Sequence, residues 1–274
     1  MNQSPERLPI RERSARATTG RHRRPVPAYL PPGAPALVLA VPGSGDQVSA
    51  DVAGALAVEN PQVDVRLAYL GDGAEGVAKQ LSEVGAEREK GALAAVVVPL
   101  VTGPYSRVYR TVREAVAQSG IVAIVTDPLG PHPLLAEALH IRLADKELAR
   151  ADRMRLFNIA APVDGVIVAT AGGEEAARAA ETTAVLLAAR LALPVVAASI
   201  DSAPSIGDAA ERLRRIGASK LAVAPYVIGP EADMTKVATA AEAIGAGYAD
   251  ALGAHTHVVQ LAASQFGGSL DDLF

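Results

Sequence analysis

From about residue 36 the chain alternates short, unbroken apolar runs with longer stretches of helical period. Leu37–Val41, Val63–Tyr69, Leu93–Leu100 and Ile121–Thr126 read as strands, being short apolar runs bounded by turn formers. Helices are expected from about Ala74 to Val84 and from about Tyr105 to Ala117. Pro131 is placed to open a further helix, where its missing N–H costs nothing. The same order then returns. Gly165–Thr170, Val195–Ile200 and Lys220–Tyr226 read as strands, and residues 247–251 as a weak last one. Helical patterns cover about Ser205–Ile216 and Met234–Ile244. Strands without polar alternation are those covered on both faces, and strands alternating with helices build parallel βαβ units.

Three pairs of turns make the return a repeat. Val98-Pro99-Leu100-Val101-Thr102-Gly103-Pro104 matches Ala224-Pro225-Tyr226-Val227-Ile228-Gly229-Pro230. Leu129-Gly130-Pro131-His132 matches Leu252-Gly253-Ala254-His255, and Val41-Pro42-Gly43-Ser44 matches Thr170-Ala171-Gly172-Gly173. The reading is an internal duplication: two tandem α/β domains at residues 36–150 and 163–267, each a mainly parallel four-stranded sheet flanked by helices. The boundary falls in the charged stretch Ala144–Phe157. Parallel sheets bind ligands outside the carboxyl ends of their strands, so the cleft between two such edges is the expected site.

Composition narrows the chemistry. Half the residues are hydrophobic but only 3% are aromatic, so the cores must be built from Ala, Val, Leu and Ile. With no Cys, neither a disulfide, a thiolate metal site nor a Cys nucleophile is available. No apolar run reaches the ~18 residues of a membrane span, and a cytoplasmic location is expected. Residues 1–35 carry seven Arg against two Glu, a charge of +5, which leaves −9 on the remainder of a chain whose net charge is −4. That arm lacks apolar periodicity and reads as a disordered basic tail. Weak attachment to nucleic acid or to an acidic partner is the alternative, although the chain as a whole is not expected to have a nucleic-acid partner.

Individual residues each admit a structural and a functional reading. Pro42-Gly43-Ser44-Gly45-Asp46 is either a glycine-rich anion cradle at a helix start or a tight turn capped by Ser44 or Asp46. Gly172 and Gly173 repeat it in weaker form. Arg107 and Arg110, three apart, share a helical face that is either solvated or anion-binding. His132 and His255 are repeat-related helix starts bonded to backbone, or functional imidazoles, with His257 able to join His255 on a metal. His140 reads as a packing residue, and His22 lies in the tail. Asp164, Asp201 and Asp208 read as caps or solvated acids. No Gly-x-Ser-x-Gly elbow supports a hydrolase.

The ordered segments resemble the two-domain sirohydrochlorin chelatases of siroheme and cobalamin biosynthesis. They are the strand into Pro42-Gly43-Ser44, Tyr69 before a helix, Val-Val-Val-Pro99, Leu129-Gly130-Pro131-His132-Pro133, Asp164-Gly165 through Gly172, and Val-Ala-Pro225-Tyr226. The likeness spans about residues 36–267. It implies a lyase that takes Fe²⁺ or Co²⁺ as substrate, with no tightly bound cofactor, and inserts it into a tetrapyrrole. The family pattern places two metal-binding imidazoles after the first and third strands. This chain has Pro42 at one position and a His-free loop ending at Tyr105 at the other, with Ala171 and Glu231 at the corresponding places of the second half. The resemblance therefore leaves Glu231, His132 or His255 as candidate catalytic bases. The substrate contacts it implies are Pro42, Gly43, Ser44, Thr102, Gly103, Tyr105, Arg107, Arg110, Gly172, Gly173 and Tyr226. The alternative is a non-catalytic relative that binds a tetrapyrrole or similar anion as carrier, sensor or partner protein.

Overall fold

The computed structural model describes residues 26–71, 73–150 and 162–270. His22, residues 1–25 of the basic arm and residues 151–161 of the proposed boundary lie outside that range. The first half runs β1 (Ala36–Val41), α1 (Gln47–Glu59), β2 (Val65–Tyr69), α2 (Ala74–Ala86), β3 (Leu93–Pro99), α3 (Ser106–Ser119), β4 (Val122–Val125) and α4 (Pro133–Asp145). The second runs β5 (Gly165–Thr170), α5 (Gly173–Leu191), β6 (Val195–Ser199), α6 (Ile206–Arg215), β7 (Leu221–Pro225), α7 (Met234–Ala243), β8 (Gly247–Tyr248) and α8 (Thr256–Leu270). The strands form two parallel four-stranded sheets, ordered β2-β1-β3-β4 and β6-β5-β7-β8. The two halves share one plan.

The repeat reaches individual backbone bonds. Leu100 N donates to Ala40 O at 2.9 Å, and its counterpart Tyr226 N to Ala169 O at 2.6 Å. Thr126 N donates to Val97 O, and Ala249 N to Val223 O. Two sequence expectations shift. Pro131 does not open α4: His132 is the N-cap and Pro133 takes the first helical position. The last strand shortens to two residues, since Ala249 continues only as a single bond into the loop.

The central strands are buried on both faces, and period-two alternation sorts their side chains between two layers. Leu37, Leu39 and Val41 of β1 face inward with Val166 and Val168 of β5, in one core shared by both halves. Ala36, Val38 and Ala40 face outward onto α2 and α3. Ile167 and Ala169 face the opposite outer layer, under α6 and α7. Helices α1, α4, α5 and α8 fill the space between the sheets. Two of them are exchanged: α4 packs on α5 and β7 of the second half, and α8 on α1 and β3 of the first.

The exchange is tied by reciprocal polar contacts. Arg142 on α4 donates twice to Leu252 O, at 2.7 and 3.2 Å, while Gln265 on α8 donates to Pro128 O at 3.3 Å. Arg142 and Gln265 are separated by the same interval as the capping residues His132 and His255, so they are counterparts in the repeat.

Candidate functional site

The carboxyl edges of the two sheets meet, and four strand-to-helix loops converge. The loop after β1 approaches the loop after β7: a Cβ on Gly43 would lie 3.5 Å from Pro230 O, and one on Gly229 3.5 Å from Val48. The loop after β5 meets the loop after β3, where a Cβ on Gly172 would come within 3.3 Å of the Tyr105 ring. Glycine is required at 172 for a second reason, a φ of +101° that side-chain-bearing residues rarely adopt. Ser106 donates to the Glu175 carboxylate across the same junction.

Four residues expected to contact substrate are buried instead. Pro42 lies beneath its own loop. Thr102 and Tyr226 are 2% and 1% exposed and clasp each other: Thr102 Oγ1 donates to Tyr226 O at 2.7 Å, and Tyr226 Oη to Thr102 O at 3.3 Å. These two side chains join the halves rather than line a surface. Gly103 is buried as well, whereas Gly43, Ser44, Arg107 and Arg110 are exposed and Tyr105, Gly172 and Gly173 half-buried.

The β1 loop owes its shape to capping. Asp46 accepts from Ser49 N at 2.9 Å, and Ser49 Oγ lies 3.5 Å from Asp46 N in the reciprocal contact. Of the two caps expected, Asp46 does this work and leaves Ser44 exposed.

Glu231 is the most perturbed acid of the site. It is 8% exposed, and its two oxygens accept from Ile228 N at 2.6 Å and Gly229 N at 2.9 Å. Burial raises its pKa to about 7; the loop N–H groups oppose that rise and Asp46 adds to it. Tyr105, its repeat counterpart, has its phenol pushed above the usual range by burial and by Asp201, with Arg107 opposing and Glu231 reinforcing. The structure thus groups Tyr105, Glu231, Arg107, Asp201 and Lys236 within electrostatic reach. Lys236, which sequence reasoning missed, is the repeat counterpart of Arg110 and could have been found by applying the same interval.

The candidate imidazoles are placed apart from this group. His132 Nδ1 accepts from Leu134 N and His255 Nδ1 from His257 N, both at 3.1 Å, so each caps its helix in the same way. His255 is held below the usual histidine range by burial, with His257 contributing. The His255 and His257 rings lie 4.9 Å apart, and His257 Nε2 is 3.9 Å from Glu137. Among the described residues no group of three or more His, Cys, Asp or Glu is arranged to hold a metal ion. His140 is buried on α4 and bonds Arg150 O at 2.6 Å. Asp164 binds Ser219 and Lys220, and Asp208 caps α6 with Ser205. No helix among the described residues is long and apolar enough to cross a membrane.

Two sheets of identical order with exchanged helices define a chelatase-like α/β fold. The CbiX family model matches residues 36–146, the first of the two halves. The structure of CbiX, described as the terminal enzyme for siroheme biosynthesis in denitrifying bacteria, superposes with a TM-score of 0.58 at 20% identity, over 84% of this chain and 97% of that one. An arylmalonate decarboxylase matches at a TM-score of 0.28 and 16% identity, over 87% of this chain and 91% of that one. The ABC domain in complex with L-Trp from Streptococcus pneumonia gives 0.38 and 11%, over 86% and 83%. No curated protein matches the sequence.

Proposed function

We propose that this chain is a sirohydrochlorin-chelatase-like cytoplasmic protein that binds an anionic tetrapyrrole of the siroheme or cobalamin type where the four loops converge. In this reading it is a carrier, sensor or partner protein rather than a metal-inserting lyase. One observation carries it: the four repeat-related positions of the family's ligand loops hold Pro42, Tyr105, Ala171 and Glu231. Insertion requires groups that take the inner pyrrole protons and hand over the metal. Pro42 and Ala171 have no lone pair to offer. The Tyr105 phenol is driven further from ionisation by burial. Both Glu231 oxygens are already engaged by its own loop. Binding keeps its support in the exposed Arg107, Arg110 and Lys236 on the first turns of α3 and α7, since guanidinium and ammonium suit carboxylate substituents. The repeated strand order and repeated caps favour an internal duplication as the origin of the two halves.

A lyase acting on Fe²⁺ or Co²⁺ is the second reading. It is favoured by Glu231, a carboxyl poised near neutral pH at the counterpart of an expected imidazole. Anaerobic titration with sirohydrochlorin followed by Fe²⁺ or Co²⁺, read by macrocycle absorbance, separates the two. Saturable binding with no insertion above the uncatalysed rate supports the binding protein. Accelerated insertion that is lost in Glu231→Gln establishes the lyase.

A further inference from the structure

Beside the loop junction lies a cavity of about 750 Å³. Its walls are the end of β4, the β4–α4 loop from Thr126 to His132, and one face of α8. Its size is within the usual ~300–1,000 Å³ of small-molecule sites. The lining includes one carboxylate, Asp127, and no Lys or Arg. That sign is wrong for an anionic macrocycle.

The repeat supplies an internal control. Asp127 corresponds to Asp250, Gln265 to Arg142 and Ser269 to Lys146, by the same interval that relates His132 to His255. In the second half this place is occupied by the protein's own cations. Lys146 Nζ pairs with Asp250 at 3.0 Å, and the Arg142 guanidinium sits on Leu252 O. In the first half both cations are replaced by neutral, shorter side chains. Gln265 still reaches a loop carbonyl, Pro128 O, but Ser269 cannot bridge to Asp127. Asp127 has no salt-bridge partner among the described residues, and the cavity remains where the cationic side chains would run. Within reach of the Asp127 charge, the Tyr109 hydroxyl is buried with no hydrogen-bond partner among the described residues.

We propose that this cavity binds a small organic cation, an aliphatic amine or guanidine, whose charged head pairs with Asp127 as Lys146 pairs with Asp250. Ser264, Gln265 and Ser269 offer hydroxyl and amide groups to the rest of the ligand, and Leu129 and Leu261 offer an apolar floor. Asp127 is exposed, so the ion pair is salt-sensitive and the affinity modest, with a dissociation constant of roughly 0.1–1 mM.

The test is an NMR titration of the full chain with agmatine, which carries both an ammonium and a guanidinium, against glutarate as an anion of similar length. Agmatine is expected to shift the amides of Asp127, Gly268 and Ser269 saturably, and glutarate to leave them unmoved. Asp127→Asn should weaken agmatine about three- to fivefold at low ionic strength. Ser269→Lys, which restores the second-half arrangement, should abolish the shifts while leaving the chain folded, as its spectrum reports. No saturable shift with agmatine, equal binding of glutarate, or unchanged binding in either variant overturns the proposal.

Discussion

Gly130→Ala tests whether the halves are locked at the Thr102–Tyr226 clasp. A Cβ at residue 130 would overlap the Tyr226 hydroxyl, and it would stand 2.7 Å from Thr102 O and 2.9 Å from Leu135 Cδ1. None of these yields cheaply: Tyr226 is 1% exposed, Leu135 is fully buried, and Thr102 O belongs to the backbone. Overpacking of this kind costs about 1–3 kcal/mol. Displacing the hydroxyl also loses its hydrogen bond to Thr102 O, for about 1 kcal/mol more. The sum, about 2–4 kcal/mol, should lower the melting temperature by roughly 5–12 °C for a chain of this size. Urea unfolding measures it as a lower midpoint at unchanged slope. Tyr226→Phe alone should cost about 1 kcal/mol, but in the double variant it removes the main obstacle. The two changes should then cost less together than separately, by about 1–2 kcal/mol. A loss below about 0.5 kcal/mol for Gly130→Ala, or strict additivity in the double variant, would refute the clasp as the point of contact.

Glu231 holds a proton in the folded state up to about pH 7, whereas its ordinary value is 4.5. Between those values the native chain binds more protons than the unfolded one, so stability should fall as pH rises through this window and level off above it. Glu231→Gln should remove roughly 2–4 kcal/mol of that dependence, measured by urea unfolding at pH 5 and pH 8. His255, held low by burial, should titrate below the usual histidine range in an NMR pH series. His132→Ala and His255→Ala should each cost about 0.5–1.5 kcal/mol of thermal stability by removing a helix cap. For metal, the unmodified chain should bind Co²⁺ or Ni²⁺ no tighter than about tens of micromolar, and Pro42→His with Tyr105→His should improve calorimetric affinity by more than the two single changes combined.

Much of the fold was legible because its signals are local. Short apolar runs bounded by turn formers, such as Leu93–Leu100, read as strands, and the repeated Leu-Gly-x-His turns announced the matching caps of α4 and α8. Which sheet a helix covers is not local. The apolar face of α4 reads the same whether it packs on its own sheet or the other, so the exchange and the single shared core left no trace in the periodicity. The site divided along the same line. Tyr105 was reached through the family resemblance and Glu231 through the repeat, but the burial of Tyr226 and Thr102 depends on contacts between residues more than a hundred apart in sequence. Lys236 was legible in principle and missed, because the interval was applied to turns and not to the helices after them.

The exchanged helices also bear on how the chain is made. Folding generally proceeds domain by domain as synthesis advances from the amino end. Here the inner face of the first sheet, with Leu37, Leu39 and Val96, is completed by α8, which begins at residue 256 and is synthesised only after β5 through β8. A nascent chain halted after α7 would hold a finished outer layer and an uncovered inner one. Truncation before Thr256 should therefore give an aggregating product rather than a smaller folded one, and chaperone demand during translation should persist until α8 is released.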